Sequence, residues 1–292
     1  MRKGKGAFHW YYVVSVIITA AVFILYLPFL FKNVYSNGIG IEFTHAIPSA
    51  TPTPTTAPIA WPRRLPIFMY HYVEYVQDKG DTIRQSLDIT PYTFEKQIET
   101  LVAGGYTFLT AKDIGELFDG NVTTIPEKPI VLTFDDGYRD FYTDAFPILK
   151  KHNVKATVYV IAGVVDFRNY MTEKQLQEIA ASGLVDVGAH TVHHVSLKNM
   201  DAATVEKEVR ESKQMLEAIT GQSVVSFAYP NGSYDEAAMA AVKAAGFTTA
   251  VATKPGIENG PSNQYDLVRL RTGGRSGEQL LQYLEQKNFT AW

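Results

Sequence analysis

Pro129-Ile130-Val131-Leu132-Thr133-Phe134-Asp135-Asp136-Gly137 is an apolar run of β-branched and aromatic residues that ends in two carboxylates and a glycine. A short run of this kind, closed by a turn signal, reads as a strand buried on both faces. Neighbours on a strand point to opposite sides. Two adjacent aspartates can therefore share one site only where the strand ends and the chain bends, and Gly137 supplies that freedom.

Outward from this strand, β-branched runs alternate with amphipathic stretches. Strands are expected over 65–70, 106–109, 155–161, 184–189, 225–229, 248–252 and 267–271. Between them, Thr90-Pro91 starts a helix whose Phe94, Ile98, Leu101 and Val102 share a face, stopped by Gly104-Gly105. Further helices are expected over 111–118, from Thr172 through Ala181, from Asp201 to Ile219, from Ser233 to Ala245, and after Ser276. The alanine-rich run 237–245 is a packing face. This alternation predicts an α/β fold with a parallel sheet and enough units to close into a barrel. In such barrels the chemistry sits at the C-terminal ends of the strands, where Asp135 and Asp136 lie.

A second strand, 184–189, delivers His190-Thr191-Val192-His193-His194. His190 and His194 are four residues apart and fall on one face if the segment turns helically. One carboxylate with two imidazoles is a facial three-ligand set for a divalent metal that leaves positions open. The other carboxylate is then free to act as a base on water. His193 reads as a bystander. The donor set suits Zn, and also Co, Ni or Fe.

The chain has 292 residues, a net charge of -3 and no cysteine. Thiolate metal sites and disulfides are thereby excluded. The charge balance, and the lack of a basic stripe with interleaved aromatics, argue against nucleic acid as a partner. No glycine-rich phosphate loop follows the first strand, so a nucleotide is not expected either. Arg2, Lys3 and Lys5 precede an uncharged apolar stretch over 10–31, about the 20 residues that cross a bilayer as a helix. Positive charge before it predicts residues 1–9 in the cytoplasm and the remainder of the chain outside. A cleavable signal peptide is the competing reading. Residues 32–63 follow as a linker, in which 32–47 are ambiguous and 48–62, with alternating Thr and Pro over 51–56, read as a semi-rigid spacer. The globular domain is expected over 64–292. The sequons at Asn121 and Asn288 are read as chance.

T-F-D-D-G followed by H-T-V-H-H resembles the polysaccharide deacetylases, over roughly Arg64 to the C-terminus. Met69-Tyr70-His71 is similar to the opening of the branch that includes deacetylases of poly-β-1,6-N-acetylglucosamine. The resemblance implies a distorted (β/α) barrel of seven strands, one divalent metal, and hydrolysis of acetamido groups on an N-acetylglucosamine polymer at the cell surface or wall. It implies Asp135 as base, Asp136, His190 and His194 as ligands, and His71 as general acid. Histidine suits that role because its pKa lies near working pH. Phe227-Ala228-Tyr229-Pro230-Asn231-Gly232 is similar to a third family motif and places Tyr229, Pro230 and Asn231 at the substrate, with the Asn231 N–H as oxyanion donor. The sequence departs from the motif twice: Ala228 replaces an arginine that orients the base, and Asn231 replaces an aromatic. Arg269 resembles a final-strand arginine of one branch. It stands either as the replacement orienter or as an ordinary strand residue. Two other readings keep the same residues: an O-acetyl esterase on a decorated glycan, and an inactive glycan-binding relative.

Overall fold

The computed structural model describes residues 59–61 and 63–290. The expected anchor over 10–31, and all of the linker except 59–61 and 63, lie outside these residues. Among the described residues no helix is long and apolar enough to cross a membrane.

Eight parallel strands carry the fold: β1 (Ile67–Tyr70), β2 (Thr107–Leu109), β3 (Pro129–Phe134), β4 (Ala156–Val160), β5 (Val185–Ala189), β6 (Ser226–Ala228), β7 (Thr249–Pro255) and β8 (Leu267–Arg269). Seven of them run in the order β1-β3-β4-β5-β6-β7-β8, and β2 pairs off this path with the N-terminal half of β3. The last neighbours meet through two backbone bonds, Met69 N–H to the Leu270 carbonyl and Leu270 N–H to the Ile67 carbonyl, each 2.8 Å. The result is the expected seven-stranded barrel, nearly closed. The helices are α1 (Thr82–Leu87), α2 (Pro91–Ala103), α3 (Ala111–Phe118), α4 (Phe146–His152), α5 (Glu173–Ala181), α6 (Ala202–Thr220), α7 (Glu236–Ala244) and α8 (Gly277–Leu284).

The period of two along each strand separates two cores. Ile67, Val131, Tyr159, Ala228, Val251 and Leu267, one from each of six barrel strands, form a single cluster inside the barrel. Their neighbours Phe68, Ile130, Leu132, Val158 and Val160 pack outward with the helices. All six residues of β3 are buried, as expected for a strand covered on both sides. The same parity carries the inward face from Val131 through Thr133 to Asp135, and from Leu267 to Arg269. It is what aims these polar side chains at the mouth of the barrel.

Three local expectations change. The helix expected from Ser233 is capped instead by Asp235, whose side chain accepts from the Ala238 N–H. Val102 is 47% exposed and leaves the buried face that Phe94, Ile98 and Leu101 share. A π-helical stretch, Phe141–Ala145, runs into α4 where no helix was expected. Its seven α-helical residues with a proline in the first turn give too little periodicity to read. Two residues assigned to the spacer belong with the barrel. Ile59 packs against the inner cluster, and the Trp61 ring meets Phe118 edge-on at 5.1 Å.

Candidate active site

β3 ends at Phe134, and the Asp135 N–H still bonds the Tyr70 carbonyl at 2.9 Å, which keeps Asp135 in strand register. The bend follows at once. Asp136 has φ 76° and Gly137 φ 78°. The left-handed turn thus begins on the second aspartate itself and swings its carboxylate beside the first. A side chain at Gly137 would also press on Val160.

His190 and His194 converge, but not by a helical turn. The segment is irregular, with left-handed backbone at Thr191 (φ 62°) and His194 (φ 56°). The Thr191 hydroxyl donates to the His190 carbonyl and accepts the His194 N–H at 2.9 Å, folding the loop on itself. The rings come within 4.9 Å, centre to centre. His190 Nε2 lies 3.4 Å and His194 Nε2 3.3 Å from Asp136 Oδ1. The ring Nδ1 of His190 is 2.7 Å from the Ala228 carbonyl. That contact requires a proton on Nδ1 and leaves the Nε2 lone pair free. Asp136 Oδ1 is buried with no hydrogen-bond partner. An orphaned carboxylate oxygen facing two imidazole nitrogens, all within 4.8 Å of one another, suits a divalent cation. Glu95, Glu99 and His152 form a second such group, but Lys151 and Lys96 already occupy its carboxylates.

Asp135 is held by Arg269. The guanidinium bonds both carboxylate oxygens, at 2.7 and 2.8 Å, donates 3.0 Å to the Thr133 hydroxyl and 2.8 Å to the Ala252 carbonyl, and is wholly buried. Arg269 is therefore no surface strand residue. Burial works against an ionised Asp135, but the adjacent Arg269 charge outweighs it and keeps the carboxyl well below its usual range. His71 Nε2 stands 3.9 Å from Asp135 Oδ2. Burial lowers the His71 pKa, only partly offset by the two aspartates. His71 also lines a pocket of about 60 Å³ with Met69, Asp88 and Arg271.

The third motif contributes its backbone. Tyr229 is fully buried, stacks on Tyr234 at 4.2 Å and donates its hydroxyl to the Tyr265 carbonyl. Its ring faces the core, and Pro230 is buried too. Asn231 is exposed, at φ 57° in a tight turn. Gly232 is confined there, since a Cβ would lie 2.1 Å from the Thr253 hydroxyl.

A stack of tyrosines was not foreseen. Tyr72 and Tyr138 lie 4.0 Å apart, Tyr138 and Tyr170 5.1 Å, and all three are half-buried. Burial first, and then the Asp136 charge, raise the pKa of Tyr138 and Tyr170. Tyr72 and Tyr138 each follow a recognised motif residue, His71 and Gly137, and that adjacency was the available signal.

The family model for polysaccharide deacetylases matches residues 123–250. The YxkH protein of Bacillus subtilis, of that family by name, is 32% identical over 77% of each chain. The poly-β-1,6-N-acetyl-D-glucosamine N-deacetylase of Staphylococcus aureus is 27% identical, over 73% of this chain and 76% of its own. Among solved structures, the Streptococcus pyogenes deacetylase PplD, in complex with acetate, superposes with a TM-score of 0.70 at 30% identity, covering 77% of this chain and 100% of that one. A Bacillus cereus polysaccharide deacetylase superposes with a TM-score of 0.68 at 29% identity, over 78% and 71%.

Proposed function

The chain belongs to the polysaccharide deacetylase family, hydrolases of amide bonds on polysaccharides, and on that premise we propose that it is a metal-dependent N-deacetylase. Its substrate is an N-acetylglucosamine polymer of the cell surface or wall, and its products are acetate and a free amine. The observation that carries this reading is the convergence of Asp136, His190 and His194 on one orphaned carboxylate oxygen, with Asp135 and His71 beside it. Those three residues would hold one divalent ion, zinc foremost. When bound, such an ion polarises a carbonyl and makes water more acidic.

The chain's own groups divide the remaining work. Asp135, fixed at both oxygens by Arg269, takes a proton from the attacking water. His71 Nε2, 3.9 Å away, gives the departing amine its proton, so the proton's path between the two groups is short. The Asn231 N–H donates to the developing oxyanion. The tyrosine stack offers the sugar an aromatic surface. The Met69-Tyr70-His71 opening and the similarity to the staphylococcal enzyme favour a β-1,6-linked polymer. The apolar stretch over 10–31 with Arg2, Lys3 and Lys5 before it would anchor the protein in the cell membrane, with the barrel outside.

Acetate release from β-1,6-linked N-acetylglucosamine oligomers, chitin oligosaccharides, peptidoglycan and an O-acetylated glycan tests the proposal. Release is expected from the β-1,6 oligomers, with one amine per acetate. The Asp135→Asn protein is expected to lose about 10²–10⁴-fold in kcat. Release from the O-acetylated glycan alone would overturn the amide reading.

A further inference from the structure

α6 turns Val205, Glu208, Val209, Ser212 and Leu216 toward the core. Glu208 is the one charged side chain in that row and is only 7% exposed. A buried carboxylate is costly unless it is paired or well hydrogen-bonded. Here the loop of the two metal-facing histidines supplies all the partners shown. Glu208 Oε2 accepts the N–H of Val192 at 2.9 Å and of His193 at 3.0 Å, and Oε1 lies 2.6 Å from His193 Nδ1.

These are the middle residues of the segment that runs from His190 to His194. Its opposite side is tied by backbone bonds, from Ala162 N–H to the Thr191 carbonyl and from Gly163 N–H to the Val192 carbonyl, both 3.0 Å. A Cβ at Gly163 would stand 2.6 Å from that Val192 oxygen, so the approach is close. The loop holds two non-glycine residues in left-handed backbone, an arrangement that persists only where the surroundings enforce it. Without Glu208, two consecutive N–H groups lose their acceptor, and the loop loses its tie to α6.

We propose that Glu208 is a positioning residue of the metal centre. By gathering the Val192 and His193 N–H groups, it fixes the span between His190 and His194 and so the affinity for the ion. The inference rests on the metal-binding reading of Asp136, His190 and His194. His193 takes part through its backbone, and its ring is 69% exposed.

Zinc affinity of the purified full-length protein, measured by competition with a chromophoric chelator, tests this without any substrate. Glu208→Ala should bind about 10–100-fold more weakly than wild type, the range seen when groups supporting metal ligands are removed. Glu208→Gln keeps an oxygen for both N–H groups and should recover most of that loss. His193→Ala removes only the contact of a ring that is itself 69% exposed, leaves both backbone N–H bonds to Glu208 in place, and should stay within about fivefold of wild type. Wild-type affinity in Glu208→Ala overturns the proposal, as does a Glu208→Gln protein as weak as Glu208→Ala. Should Glu208→Ala fail to fold, Glu208→Asp, with its carboxylate withdrawn by one methylene, carries the same expectation, and wild-type affinity there overturns it equally. A wild-type protein that binds no zinc overturns the metal reading of the site together with this inference, whereas zinc binding in wild type with no change in the variants overturns this inference alone.

Discussion

Asp135 and Arg269 lie 134 positions apart in sequence, yet they form the most enclosed ion pair of the site, with side chains 4% and 0% exposed. Each half was visible in the sequence, Asp135 by its motif and Arg269 by its place in the last strand, but their contact was not. A fully buried arginine and a surface one look alike in a three-residue strand. Only the parity of the barrel, which sets Leu267 and Arg269 on the inner face, separates them. Replacing Arg269 with Met should leave Asp135 buried without its partner and cost about 3–5 kcal/mol, measured by urea unfolding. The sign with pH follows. Arg269 holds the folded-state pKa of Asp135 below its unfolded value of about 3.9. The pair therefore contributes stability that is fully present above that value and is lost as pH falls through the lower folded one. Arg269→Met should lack this acid-side loss. With Arg269 no longer outweighing burial, and only His71 and His190 left to oppose it, the acid limb of the Asp135 kcat/KM profile should move toward neutral pH. An unchanged limb would separate Asp135 from the base role.

The strand ends and turns that present these groups were legible where a cap or a glycine marks them. α2 begins at Thr90-Pro91 and α3 spans the residues expected for it. The histidine loop was legible in its composition but not in its shape. A spacing of four suggested a helical turn, and the loop instead uses the Thr191 hydroxyl and two left-handed residues, which no periodicity encodes. Ser233 lost the capping role to Asp235 because Pro230-Asn231-Gly232 turns first and delays the helix. That turn makes a testable demand. Gly232→Ala would place a methyl 2.1 Å from the Thr253 hydroxyl at φ 63°. It should destabilise the protein by about 1–3 kcal/mol. Because Asn231 precedes it, kcat should fall more than KM rises. Unchanged kinetics in a folded Gly232→Ala protein would remove Asn231 from the oxyanion role.

Across the described residues the sequence made a parallel barrel readable, because eight strands with intervening helices leave few other ways to cover so many apolar runs, while the count of seven in the barrel came from the family resemblance. The closure of β1 onto β8 through Leu270, and the branching of β2 from β3, depend on pairings between distant segments and were not readable. The barrel brings groups from β1, β3, β5, β6 and β8 to one mouth, where a single ion would organise them. Metal-stripped full-length protein should release no acetate from β-1,6-linked N-acetylglucosamine oligomers, and one equivalent of zinc should restore full release. The same titration on an Asp136→Ala protein should restore none. Undiminished acetate release by the stripped protein, or by Asp136→Ala, would contradict a metal-dependent deacetylase at this site.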